Sequence, residues 1–283
     1  MKISEVISRI VNYYPPLEQE ATVDTVKWGD TEKECTGVAV TCCATADVIR
    51  KSVALGANLI IVHEPLFYNH SDELAPLDGA AAFTAKKQLL NETGVVIWRN
   101  HDRIHGGSPD RYKRPYMDGI FYGVMKELGW ENHAVRFHNK PLIFRIPETT
   151  GLRLAQELME KMNLNGIRVE GDPDCKVRKV FFCEHVRGWN VDFETIHLIE
   201  SEDIDAIIPL ETVDWTVSLY VRDSVQLGRP RVMLEAGHFN FEELGMKHML
   251  TWLPKLLGGT VPVHYVQSGD GFMYLKRADS QKI

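Results

Sequence analysis

Asn58-Leu59-Ile60-Ile61-Val62-His63-Glu64-Pro65 is a short apolar run that ends in a histidine, an acid and a proline. It reads as a buried strand whose exit is stiffened by Pro65. Two more runs end in the same way. Gly94-Val95-Val96-Ile97-Trp98 leads into Arg99-Asn100-His101-Asp102-Arg103-Ile104-His105. Arg231-Val232-Met233-Leu234-Glu235-Ala236-Gly237 leads into His238, with Glu242 four residues on. In parallel α/β sheets, ligand sites gather outside the carboxyl ends of the strands. If the three runs are strands of one sheet, His63, Glu64, His101, His105, His238 and Glu242 share one small volume. Four imidazoles and two carboxylates form a donor set for a divalent metal.

Outward from these runs, the pattern alternates. Residues 3–14 place Ile3, Val6, Ile7, Ile10, Val11 and Tyr14 at helical spacing, and Pro15-Pro16 ends the helix. Strands are expected at 36–41, 59–62 and 94–98, and helices at 45–55, 80–91 and 118–128. This alternation predicts an α/β layer with a mainly parallel sheet flanked by helices. After Trp130 the order becomes strand, helix, strand, strand (141–146, 150–162, 166–170, 176–184), which suits an inserted smaller α+β domain. From Ile204 the alternation returns: a strand at 205–209, helix over 212–227, a strand at 232–236, helix over 241–257 broken at Pro254, and a last strand at 261–266. The expected organisation is a discontinuous metal-binding α/β domain of residues 1–132 and 203–283, with 133–202 inserted.

At 283 residues the chain can hold one large core or two domains, since single cores rarely grow past roughly 250 to 300 residues. A formal charge of −7 argues against nucleic acid and anionic membrane as partners. No stretch approaches the roughly 18 apolar residues of a membrane span, and Met1-Lys2-Ile3-Ser4-Glu5 does not open a signal peptide. The five cysteines form no Cys-x-x-Cys pair and suggest no disulfide framework, so a cytoplasmic protein is expected.

Each donor pair has a plain alternative: a surface loop that happens to hold a histidine for His63 and Glu64, and a polar turn continuing into Gly106-Gly107-Ser108-Pro109 for His101 and His105. His63 and Glu64 are adjacent, and neighbouring side chains of an extended strand point apart, so both can bind one ion only where the chain has turned. His101 and His105 share a face if their segment is helical and can converge in a loop as well, with Asp102 available to orient an imidazole. Glu242 is equally a stabilising first-turn acid behind the N-cap candidate Asn240. Three such pairs at strand ends are much less expected by chance than any one of them. Arg111, Lys113 and Arg114 are candidates for a phosphate but read more simply as solvated. Cys183-Glu184-His185 and Cys42-Cys43 read as structural, and no Gly-rich phosphate loop is present.

At these residues the chain resembles the GTP cyclohydrolase I type 2 homologues, the Nif-three-like dinuclear-metal proteins. The segment 56–67 is similar to that family's strand followed by His-His-Pro. The segment 100–105 resembles its His-Thr-Asn-x-Asp loop, and 235–242 its Gly-His-x-x-x-Glu motif. The resemblance implies a two-lobed α/β fold, a dinuclear metal centre, assembly into homohexamers and presumed hydrolase activity. It implies His63, Glu64, His105, His238 and Glu242 as metal ligands, with His101 beside them as acid and base. The chain departs from the family where Glu64 replaces the second histidine, where His105 replaces the bridging aspartate, and where Thr41-Cys42-Cys43 lacks a further aspartate. A neutral imidazole has one lone pair and cannot bridge two metals. Either Glu64 bridges beside Glu242, or one metal is held firmly and a second weakly.

The resulting expectation is a metal-dependent hydrolase using one or two divalent ions (zinc, manganese or iron). Its substrate is expected to be a nucleotide, phosphorylated or heterocyclic small molecule. The alternative is a non-catalytic metal-binding regulatory or scaffold protein.

Overall fold

The computed structural model describes residues 1–17, 21–106, 117–137 and 140–275. In chain order the regular elements are α1 (Ile3–Tyr13), β1 (Val26–Trp28), β2 (Val38–Val40), α2 (Ala46–Ala54), β3 (Leu59–Val62), α3 (Ala81–Thr93), β4 (Val96–Arg99), α4 (Asp102–Gly106) and α5 (Gly119–Leu128). There follow β5 (Ala134–Phe137), β6 (Pro141–Thr150), α6 (Gly151–Met162), β7 (Arg168–Gly171), β8 (Lys176–Val186) and α7 (Val191–Ser201). The last are β9 (Ala206–Thr212), α8 (Val217–Gln226), β10 (Val232–Glu235), α9 (His238–Lys247), α10 (Leu253–Leu256) and β11 (Val263–Tyr265). Among the described residues, no helix is long and apolar enough to cross a membrane.

The fold is α/β, with two helix-flanked sheets. The chain divides into unit 1, Met1–Leu142 with Phe241–Ser268, and unit 2, Ile143–Asn240 with the chain from Gly269. In unit 1 the sheet order is β1-β4-β3-β2-β11. β11, β2, β3 and β4 are parallel, and β1 adds antiparallel to β4. All four residues of β3 and of β4 are buried, which explains their unbroken apolar runs: a strand covered on both faces has no polar side to show. Val48 and Ile49 of α2 and Phe83 and Leu90 of α3 pack with Ile60, Val62 and Ile97 in one core. Thr45 caps α2 by accepting the Val48 amide, and α3 and α5 end at Gly94 and Gly129, both left-handed.

The second sheet is mixed, in the order β5-β6-β8-β9-β10-β7. β8, β9 and β10 are parallel neighbours, whereas β6 pairs antiparallel with β8 and β7 with β10. This changes the expected organisation: residues 133–142 fall in unit 1, and the chain from Gly269 falls in unit 2. β9 and β10, and with them residues 203–240, fall in unit 2, where the sequence reading has them in the first domain. The third apolar run therefore joins a different sheet from the first two. The cause is α7, a helix that sequence periodicity did not show. It leaves Val191 and Phe193 exposed and buries only Asp192 and Ile199, so no apolar stripe marks it. Once α7 is present, β8-α7-β9 and β9-α8-β10 are two successive crossovers, and such strands pair locally.

α5 and α9 approach backbone to backbone. A Cβ built on Gly245 stands 2.7 Å from both the Cα and the carbonyl oxygen of Ile120, and one on Gly123 stands 2.8 Å from the Gly245 Cα. Gly245→Ala is expected to destabilise the protein by about 1–3 kcal/mol, since neither backbone can yield without repacking. Urea denaturation measures this; an unchanged midpoint would mean that the helices separate freely.

Candidate metal centre

The exit from β3 has turned by the first residue. The amides of His63 and Glu64 both donate to the Cys42 carbonyl, at 3.0 and 2.9 Å. Two successive N–H groups aimed at one oxygen do not occur in extended chain, where neighbours alternate. The condition for His63 and Glu64 to act together is therefore met.

The exit from β4 is helical. Asp24 is buried and caps α4: its Oδ1 accepts the amides of His101 (2.7 Å) and Asp102 (2.8 Å), and its Oδ2 accepts that of Arg103 (2.8 Å). Asp102 is held in turn by the Thr22 hydroxyl (2.8 Å) and the Val23 amide (3.0 Å) on Oδ2. Within α4 the His105 amide donates to the His101 carbonyl, so the two rings lie one turn apart on one face.

Three imidazoles meet here. Ring centroids are 4.7 Å apart for His63 and His101, and 4.9 Å apart for His63 with His105 and for His101 with His105. One nitrogen of each ring is committed to an oxygen that only accepts. His63 Nδ1 donates to the Asn100 carbonyl (3.2 Å), His101 Nδ1 to Asp102 (2.9 Å), and His105 Nδ1 to Asp118 (2.8 Å). Asp118 is itself the cap of α5, accepting the amides of Ile120 and Phe121. This is the pattern by which outer carboxylates and carbonyls fix the tautomer of metal-binding histidines. Donor atoms of His63, His101 and His105 lie within 4.8 Å of one another, as do those of His63, Glu64 and Glu242.

With its proton on Nδ1, fully buried His63 turns a lone pair on Nε2 toward Glu242 Oε2, 3.2 Å away. No hydrogen-bond partner for Nε2 is found among the described residues. Two acceptors facing each other in a dry interior repel, and a cation between them removes the repulsion. Bonds of about 2.0–2.2 Å to such a cation put neighbouring ligand atoms roughly 3.0–3.5 Å apart, so the spacing fits. His105 Nε2 lies 3.8 Å from the other oxygen of Glu242.

Burial pushes the His101 pKa down to about 3, helped by the neighbouring His63 and His105 rings against the pull of Asp102. Burial also opposes charging of His105, but the charge and hydrogen bond of Asp118, with Glu242 beyond, raise it above its ordinary value. The anchor beneath the cluster is Arg99, fully buried. Its Nε donates to the His63 carbonyl (3.0 Å) and its Nη1 to the His70 carbonyl (2.6 Å), and Nη1 lies 3.3 Å from Asp72.

Five of the six predicted site residues, His63, Glu64, His101, His105 and Glu242, are thus gathered in unit 1. His238 lies in unit 2, because its strand belongs to the second sheet; its Nδ1 donates to Glu211 Oε2 (2.7 Å). Sequence reasoning did not single out Asp24, Arg99, Asp118, Glu211 or His185 as supports or donors. Asp118 carried a usable signal, an acid immediately before a helix start, while Asp24 sits in a stretch without periodicity. Arg111, Lys113 and Arg114 lie outside the described residues.

Comparison with known proteins finds relatives of the family that the sequence resembles. The family model described as Duf34/NIF3 (NGG1p interacting factor 3) matches residues 1–91. A GTP cyclohydrolase 1 type 2 homolog of Clostridium acetobutylicum is 22% identical over 249 residues, covering 83% of this chain and 84% of that protein. One from Staphylococcus epidermidis is 24% identical over 174 residues, 61% of this chain; the match spans 44% of that longer protein. The crystal structure of a Bacillus cereus protein related to NIF3 superposes with a TM-score of 0.70 at 16% identity, covering 97% of this chain and 99% of that one. The resemblance read from the motifs is borne out, at the distance of a divergent relative, and the fold is that of NIF3-related proteins.

A depressed histidine pKa means that the unfolded chain binds a proton which the folded chain refuses. In chelator-treated protein, stability is expected to fall as pH drops from about 6.5 toward 3, and His101→Gln to lessen that fall. Urea denaturation across a pH series reads the slope. Equal slopes for the two proteins would place the acid sensitivity elsewhere.

Proposed function

We propose that the unit 1 cluster binds one or two divalent cations and that the protein is a metal-dependent hydrolase. The supporting observation is the buried His63 Nε2 facing a Glu242 oxygen at 3.2 Å, with no hydrogen-bond partner for that nitrogen among the described residues. His63, Glu64, His105 and Glu242 are the proposed ligands. Nitrogen and oxygen donors without thiolate suit zinc, manganese or iron. When bound, a divalent cation acidifies a coordinated water and polarises a substrate oxygen or ring carbon.

The chain's own residues do the rest. Asn100 and Asp118 hold the His63 and His105 rings in the tautomer that leaves Nε2 to bind. With an imidazole at position 105, Glu64 and Glu242 are the members of the set able to bridge two cations. His101 is the proposed proton carrier: its Nδ1–H donates to Asp102, which leaves Nε2 as the nitrogen that exchanges a proton. The substrate class, a nucleotide or other phosphorylated or heterocyclic small molecule, follows the name carried by the relatives. Assembly as a homo-oligomer belongs to the same proposal, and native mass measures it.

Protein purified without chelator is expected to carry metal. Both His63→Ala and Glu242→Gln should weaken binding by roughly 10- to 100-fold. On a panel of phosphoesters, nucleotides and cyclic amides, His101→Gln should lose turnover while keeping its metal. Loss of metal from His101→Gln would make that residue a ligand. Full metal with no turnover on any substrate would leave a binding protein without hydrolase activity.

A further inference from the structure

Unit 2 presents aromatic surface where its parallel strands end. Of the six tryptophans, Trp98 and Trp130 are buried, and Trp28 and Trp252 partly so. Trp189 and Trp215 are 70% and 60% exposed. Trp189 stands just beyond the end of β8 and Trp215 just beyond the end of β9, and these strands are parallel neighbours. The turn after β10 delivers His238, which the family resemblance implies as a metal ligand. Ligands of parallel sheets are found at this edge.

One buried acid ties the two tryptophan loops together. Asp192 Oδ2 accepts the amide of Gly188, after β8, at 2.9 Å, and the hydroxyl of Thr216, after β9, at 2.7 Å. The tie seats Trp215 on the Gly188 backbone. Gly188 has a φ of 79°, and a Cβ there would collide with the six-membered part of the indole. The ring is thus backed by main chain while most of its surface stays open. An exposed aromatic ring that is already held in place loses little freedom when a flat ligand stacks on it.

Charge at the same edge says which flat ligand. His185 Nδ1 donates to Glu211 Oε1 at 3.0 Å, and His238 Nδ1 donates to Oε2 at 2.7 Å, so Nε2 is the His238 nitrogen that would meet an ion. Arg187 directly precedes Gly188 and is half-exposed. Its Nε donates to Glu211 Oε1 at 3.2 Å, and the paired Nη groups are the geometry that grips a phosphate.

We infer that Trp215 is a stacking platform for the heteroaromatic ring of a nucleoside phosphate, with Trp189 at its margin and Arg187 holding the phosphate. Stacking on an indole is open to every base, since each has a π-face, and it selects a planar ring over a bare sugar phosphate. The hydrolase reading is needed only to call this molecule a substrate; its binding requires no turnover.

The test is equilibrium dialysis of the four common ribonucleoside monophosphates, and of ribose 5-phosphate, against the metal-loaded full-length protein. Metal content is measured in the same samples. At least one nucleotide should bind roughly tenfold or more tightly than ribose 5-phosphate. Trp215→Leu should weaken that nucleotide roughly tenfold and leave ribose 5-phosphate unchanged, whereas Trp215→Phe should keep most of the binding. Arg187→Gln should weaken the nucleotide but not its parent nucleoside, a split that a purely structural role would not give. Circular dichroism checks that each variant is folded, and Trp215→Gln stands in if Trp215→Leu is not. Nucleotides bound no better than the sugar phosphate, or bound equally by wild type and Trp215→Leu, overturn the inference. So does a fall in native mass of Trp215→Leu, which would make this face an interface between copies of the chain. Tryptophan-dependent binding without turnover keeps the inference and removes the hydrolase reading. Turnover with nucleotide binding indifferent to Trp215 does the reverse.

Discussion

Where β4 ends, the carbonyl of Asn100 accepts the Nδ1 proton of a fully buried imidazole 3.2 Å away, and the chemistry of the unit 1 cluster depends on that bond. A carbonyl cannot donate, so the His63 proton has one place to be. The lone pair is then forced onto Nε2, toward a carboxylate, in an interior where neither group can turn to water. The strand ends, the capped α4 and the contact between α5 and α9 hold this arrangement in place. Asp24 spends a buried carboxylate on the amides that start α4, the helix of His105, and Asp118 divides its own between the first amides of α5 and the His105 ring.

Both sheets use strand ends in the same way. In unit 1 the turns after β3 and β4 deliver His63, Glu64 and, through α4, His101 and His105. In unit 2, β8, β9 and the turn after β10 deliver His185, Glu211 and His238. The apolar runs buy position: four buried residues fix the strand, and the first polar residue beyond it has almost no freedom of placement. In unit 1 each ring is then held by one hydrogen bond at Nδ1, to Asn100, Asp102 or Asp118.

The runs around 59–62 and 96–99 were legible in sequence because doubly covered strands stay apolar throughout, and the helices were legible where a buried stripe or a glycine stop existed, as in α1, α3 and α5. What stayed hidden were the short β1 and β5 and the helix α7, whose exposed Val191 and Phe193 blur its period. Its absence from the reading made residue 203 look like a domain junction. The His101–His105 pair was readable as four apart, but its helical geometry depends on Asp24, some eighty residues earlier, and no local signal reports such a cap. His185 was set aside because its partner Glu211 lies across a strand pairing, and pairing of that kind is not written in local spacing.

Arg99 holds the segment after β3 mainly through two carbonyl oxygens, those of His63 and His70. A guanidinium keeps its proton at every pH a protein survives, and a carbonyl has none to gain. Arg99 also faces Asp72 and the His70 ring, each at 3.3 Å, but its bonds to the two carbonyls join groups that do not titrate. The scaffold that presents His63 is therefore acid-proof in its main attachments.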